Sequence, residues 1–176
     1  PSLNQRIALR MVRVMLFGVV VWLIHRAHVA RLDQSSLLPQ VPVVVTDIRD
    51  LFPGAKGFAV DLDESGRRQV LDHQGDVLGS FLRTSPMADA VIGFCGPTDT
   101  LLAFDRDDRV LGVKILGSED TRDHVAKIRN DASFLAHLRG LTFREASLST
   151  SVDGVAGATL TSIAIQEGLL LRLGGG

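Results

Sequence analysis

Thr100-Leu101-Leu102-Ala103-Phe104, then Asp105-Arg106-Asp107-Asp108-Arg109, then Val110-Leu111-Gly112-Val113-Lys114-Ile115-Leu116, is the stretch that decides the fold. Two runs rich in Leu, Val, Ile and Phe flank a charged turn. Such side chains suit a pleated, half-buried surface. Aspartates bond to their own turn backbone, so the whole reads as a β-hairpin. Asp105, Asp107 and Asp108 are not a calcium loop, because no Gly and Glu follow at EF-hand spacing.

Upstream, Phe58–Leu62 alternates enough for a strand. Arg68–His73 and Val77–Thr84 are strand-like runs separated by Gln74-Gly75-Asp76, a plausible hairpin turn. Ala90–Phe94 is a further apolar run, and Gly93, Gly96 and Pro97 punctuate its exit. Thr46–Gly54 reads as a short helix capped by Thr46 and stopped by Pro53-Gly54. Downstream the period changes. Asp120 or Thr121 can cap a helix carrying Val125, Ile128 and Arg129, with Phe134, Leu135 and Leu138 continuing its spacing to Gly140. Ile163, Ala164, Glu167, Leu170 and Leu171 give a last helix with one apolar face. The expected fold class is α+β: a mostly antiparallel sheet with a few helices, preceded by an N-terminal membrane segment.

That segment is Val14–Ile24, an all-apolar run preceded by Arg6, Arg10 and Arg13 and followed by His25 and Arg26. It is about half the ~20 residues of a full span and has the length of a signal-peptide core. No small-x-small cleavage site follows, since His28 stands two positions before Ala30, which favours an uncleaved anchor. The leading arginines place the N-terminus in the cytoplasm and the rest on the periplasmic side of a cytoplasmic membrane. Arg26 and Arg31 pull against that orientation. Residues 1–30 are thus read as signal anchor, 31–45 as linker and 46–176 as one domain, with Gly174-Gly175-Gly176 a flexible stop.

Composition excludes several classes. A net charge of −1 gives no argument for nucleic acid. The single cysteine, Cys95, is expected to be buried. It permits no intrachain disulfide and no thiolate cluster for iron–sulfur or zinc. His124 and His137, with Asp120 and Asp123, match no compact ligand spacing and read as surface groups; no metal is expected. His25 and His28 read as interfacial. No nucleophile–base pair or phosphate-binding Gly-Lys motif is present.

Asp153-Gly154-Val155-Ala156-Gly157-Ala158-Thr159-Leu160-Thr161 carries the chemistry. Gly154 and Gly157 permit conformations other residues resist and let a ligand approach closely. Ala156 and Ala158 keep the walls small. A helix starting near Thr159 would point free N–H groups at a phosphate. The same residues also suit a glycine turn followed by a threonine capping an ordinary helix, which is commoner.

The stretch resembles the flavinylation motif of the FMN-binding domain family, on Asp153, Gly157, Ala158, Thr159 and Thr161. Ala156 stands where the family usually has Ser or Thr. The family includes the flavin domains of Rnf complexes, of the sodium-pumping NADH:quinone reductase (Nqr) and of the NosR/NirI type, the last being the one this chain resembles most. Leu51–Ala55, Gly75–Thr84, Gly93–Pro97 and the hairpin through Leu116 resemble further family segments, so the likeness covers most of 46–173. Glu119-Asp120-Thr121-Arg122-Asp123-His124 replaces the Glu-Thr-Pro-Gly-Leu-Gly of many relatives.

The resemblance implies a membrane-anchored, extracytoplasmic electron-transfer domain carrying FMN covalently, as a phosphoester on Thr159. Asp153, Gly157 and Ala158 would shape the loop, and Thr161 would bond near the phosphate or help cap the helix. The implied partners are the other components of a membrane redox complex and a flavin transferase for maturation. The alternatives are a flavin-free anchored ligand-binding or interaction module of the same fold, and non-covalent flavin binding.

Overall fold

A computed structural model describes residues 3–35, 41–149 and 153–174. Gly175, Gly176 and linker residues 36–40 lie outside it, as do the side chains of His28, Ala30 and Arg31. The chain divides into two units, Pro1–Ser35 and Ser36–Gly176.

The first unit is helix α1, Leu3–Ser35, which runs on past Arg31, the expected start of the linker. Val14, Met15, Leu16 and Phe17 are all exposed, and at about 100° per residue these four apolar side chains go right round the helix. Arg26 packs over the Trp22 ring at 5.4 Å. The expected membrane segment needs correcting: among the described residues, no helix is long and apolar enough to cross a membrane. The reason is geometric. Between Arg13 and Arg26 the apolar run reaches roughly 16 Å as a helix, about half of a bilayer's hydrocarbon core.

The second unit is built on one five-stranded antiparallel sheet in the order β1-β2-β3-β4-β5. Its strands are β1 Gly57–Leu62, β2 Arg68–Leu71, β3 Val77–Arg83, β4 Thr98–Phe104 and β5 Val110–Ser118. Each pairs with the next in sequence; short turns join β1 to β2, β2 to β3 and β4 to β5, while the longer segment 84–97 links β3 to β4. The turns are aspartate-built. Asp72 Oδ1 accepts the N–H of Gln74 and of Asp76, ending β2 before His73. Asp105 Oδ1 accepts those of Asp107 and Arg109, closing the β4–β5 hairpin.

Alternation divides the sheet into two buried faces. Leu82, Leu102, Phe104, Val113 and Ile115 form one core with the helices that follow. Phe81, Leu101 and Ala103 form the other, with Val70, Ile48, Phe52 and Ala55. Ile48 belongs to α2, Val45–Ile48, whose N-cap is Val44 and not Thr46. Asp47 Oδ2 reaches back to accept the Val44 N–H at 2.9 Å.

The helices after the sheet are α3 Arg122–Asn130, α4 Ala132–Ala136, α5 Phe143–Ser147 and α6 Thr159–Arg172. The single helix expected up to Gly140 is broken at Asp131, which leaves the helical region at φ −88°, ψ 91°. Its Oδ1 accepts the Phe134 N–H, so Asp131 starts a new helix rather than continuing the old one. Helix α5 has no counterpart in the sequence reading; Thr142 and Glu145 form its capping box.

Phe104 is fully buried, and a Phe→Ala change there removes a ring that joins β4 to the helical side. Denaturant unfolding should show Phe104→Ala losing about 3–5 kcal/mol. A loss below about 1 kcal/mol would mean that this core does not hold the sheet to its helices.

Candidate functional site

The chemistry-bearing loop, residues 153–158, runs into α6 at the edge of the helical side. Gly157 sits at φ +73°, a conformation that side chains resist. Ala158 is the N-cap of α6 and provides no side-chain hydrogen bond, so first-turn amides have no cap from it. Ala158 itself is buried in the core. Asp153, Ala156 and Thr159 are exposed.

Three ties fix this loop. Ser162, fully buried one turn into α6, accepts the Val155 N–H at 3.0 Å and donates to the Thr159 carbonyl at 2.9 Å. The Ala158 N–H donates to Val155 O at 2.9 Å. Lys127 Nζ, arriving from α3, donates to Gly157 O at 3.2 Å. Thr159 is left at the outer rim, its hydroxyl making only a 3.5 Å contact with Val155 O.

Thr161 lies elsewhere than the rim. It is buried, and its hydroxyl donates to Asp120 Oδ2 at 2.7 Å. Asp120 Oδ2 also accepts the Phe94 N–H, and Oδ1 accepts those of Cys95 and Thr121. One carboxylate thus joins the Gly93–Gly96 turn, the start of α3 and the first turn of α6. Burial pushes the Asp120 carboxyl up, but hydrogen bonds from Thr161, Thr121, Phe94 and Cys95 outweigh it and hold the group below its ordinary value. Gly93 is required by this closeness, since a Cβ there would lie 2.2 Å from Asp120 Oδ2.

Cys95 is exposed, contrary to expectation. Its N–H is turned inward to Asp120, which leaves the thiol outside, where it accepts from the Thr121 hydroxyl at 3.5 Å. The His124 ring packs edge-on against Phe94 at 5.0 Å, and His137 Nδ1 bonds the Phe134 carbonyl. Among the described residues, no three His, Cys, Asp or Glu side chains gather as a metal site.

The site therefore presents an exposed threonine hydroxyl at the start of a helix. Gly154 gives the Thr159 side chain its room, because a Cβ there would stand 2.8 Å from Thr159 Cγ2. An open depression of about 540 Å³ adjoins the loop, walled by Lys127, Asp131, Val155 and Ala156. Sequence reasoning missed Asp120, Lys127 and Ser162 as parts of this site. The serine carries a local signal, a hydroxyl three residues into a helix whose N-cap is alanine. The other two are brought in only by tertiary packing.

Residues 93–170 match the family described as FMN-binding domain. The match begins at the Gly93 turn and ends within α6, so it spans the hairpin, α3–α5, the loop and Thr159. It implies FMN as the cofactor and suggests flavin-based electron transfer. The segments resembling the family over residues 46–92 fall outside the matched range. No curated protein matches the chain.

Two outcomes follow for Asp120. Asp120→Ala strands four donors and should cost about 2–4 kcal/mol in denaturant unfolding. The pH sign comes from the lowered carboxyl: its stabilisation is complete above the unfolded value of about 4 and is lost as pH falls through the folded one. Asp63, Asp72, Asp131 and Glu145 are lowered too and share that direction. In melts taken from pH 7 to pH 3, Asp120→Asn should therefore lose less stability than the wild type. An equal loss would show that Asp120 contributes nothing to the acid response.

Proposed function

We propose that this protein is an electron-transfer flavoprotein whose FMN is esterified to Thr159. The observation that carries the reading is the exposed Thr159 hydroxyl on the uncapped first turn of α6, within the residues that match the FMN-binding domain. The donor is a dinucleotide that holds FMN through a pyrophosphate, brought by a separate flavin transferase: the Thr159 Oγ–H bond breaks and its proton is released, an Oγ–P bond forms, the pyrophosphate P–O bond breaks and the nucleoside monophosphate leaves, so the protein gains the mass of FMN less one water. When bound, the flavin supplies the redox chemistry.

The chain's own residues do the holding. Gly154 leaves room for the Thr159 side chain, and Gly157 leaves room for the Lys127 amine. Ser162 and Lys127 fix the loop's backbone, so that the hydroxyl is presented at a set place. Asp120 and Thr161 keep the first turn of α6 against the Gly93–Gly96 turn. Asp153 and Ala158 complete the loop, Asp153 at its exposed start and Ala158 as its buried end.

We further propose the NosR/NirI type, on the sequence segments alone, and a place on the extracytoplasmic side of a membrane beside the redox partners of a larger complex. The exposed apolar run Val14–Ile24, bracketed by Arg13 and Arg26, supports attachment to a membrane: it needs cover, and lipid provides it.

The test is intact mass and fluorescence of the denatured protein, coexpressed with a flavin transferase, beside Thr159→Val. The expected result is a gain of one FMN less one water, fluorescent after denaturation and absent from Thr159→Val. An unmodified mass from folded protein, with the transferase active on a control substrate, would overturn the reading in favour of the flavin-free module. Colour lost on denaturation would mean non-covalent binding. Gly154→Ala should also cut the modified fraction about tenfold, because its methyl group would collide with the acceptor side chain.

A further inference from the structure

Among the residues walling the depression beside Val155 and Ala156, in the loop that leads to Thr159, Lys127 is the one cation. We propose that Lys127 is a positioning residue for the phosphate on Thr159, supplying the positive charge that faces the ester and its flavin donor during attachment. The proposal rests on Thr159 being the FMN acceptor.

The backbone of α3 aims this side chain. Val125 and Ile128 turn into the core, so Lys127 projects from the exposed side towards the loop. Its ammonium has three donors. Its contact with Gly157 O uses one of them, on a neutral carbonyl. The ion pairs found among the described residues involve Arg67, Arg83 and Lys114, not Lys127. Asp131, the acid on the same wall, is engaged otherwise: its Oδ1 accepts from the Ser133 hydroxyl and the Phe134 N–H. Those bonds hold its carboxyl low, so it stays an anion.

Gly157 makes room for the amine. A Cβ there would stand 2.7 Å from Lys127 Nζ, so any side chain at 157 would displace it. A tie to one carbonyl needs a donor and no charge, and glutamine would serve. The charge suits the last turn of α3, where a cation faces the carbonyl end of the helix, and it is also free for an anion beside the loop. A phosphoester two residues along the chain is an anion that would use it. Ala156 brings no hydroxyl to the loop, which leaves Lys127 a larger share of the polar contact there.

Lys127→Gln, Lys127→Glu and Lys127→Arg, made in the full chain, separate charge from tether. Two readouts are taken: the rate of FMN attachment by intact mass, and melting of unmodified and modified protein. The rate should fall roughly tenfold in Lys127→Gln, further in Lys127→Glu, and recover in Lys127→Arg. Unmodified Lys127→Gln should melt close to wild type, while its modified form loses a few degrees against modified wild type. A rate unchanged in Lys127→Gln overturns the proposal and leaves Thr159 as acceptor. So does an equal loss of melting temperature with and without flavin, which is the mark of a tether alone. Wild-type protein that takes no flavin from an active transferase overturns both readings together.

Discussion

The Asp120 carboxylate is the interaction on which the site depends. It is buried, and a buried charge is tolerated only when its hydrogen-bonding capacity is filled. Here it is filled by three backbone N–H groups, of Phe94, Cys95 and Thr121, and by the Thr161 hydroxyl. These donors come from three separate regions of the chain. One anion thus fixes a glycine turn, the start of the helix that carries Lys127, and the start of the helix that carries Thr159. Two glycines make the approach possible. A Cβ at Gly93 would overlap Asp120, and one at Gly96 would stand 2.8 Å from the Glu119 carbonyl oxygen. The same closeness explains why Cys95 faces out: its backbone is committed inward.

The sheet supplies the rigid ground for this arrangement. From Asp99 to Phe104 every residue of β4 is buried, because both faces of the strand are covered. Helix α6 lies over β4 beside Thr84 and Ala88; a Cβ added at Gly168 would meet them at ordinary distances of 3.5–3.9 Å, so the packing there does not depend on a missing side chain. At the far end of α6, Arg172 donates to the carbonyls of Arg83, Ser65 and Gly66, pinning the helix to β3 and to the β1–β2 turn. A helix held at its middle and at its end presents a defined first turn. That is the general division between scaffold and functional loop.

What is legible in the sequence follows from what is local. The β4–β5 hairpin, the three strands before it and α6 are readable because period-2 and period-3.6 patterns and aspartate turns are properties of neighbouring residues. The break at Asp131 is not, because Val125, Ile128, Phe134 and Leu138 keep apolar spacing on both sides of it while one side chain recaps the backbone. Helix α5 is too short for periodicity to show. At the site, Gly157, Ala158 and Thr159 stand out by residue type. Asp120 looks like a helix cap, since nothing in sequence reveals that residues 94 and 161 converge on it. Lys127 looks like any solvated lysine on a helix with a basic last turn. Thr161, grouped with the loop by motif spacing, faces the interior because two residues along a helix is about 200° of rotation from Thr159.

The shape of the site bears on why a covalent bond would be used. Sites that hold a cofactor by contacts alone usually bury most of its surface. The depression beside Val155 and Ala156 is open to solvent, and Thr159 itself is exposed. A group resting there would gain little from burial and would dissociate. An ester bond removes that requirement, since retention no longer depends on enclosure. The cofactor can then lie at the surface, where an electron has a short path to a partner. Openness, which counts against a non-covalent flavin site, is the geometry a tethered relay needs. Within it a fixed charge such as Lys127 would have a local task, to orient the phosphate of a group anchored on Thr159.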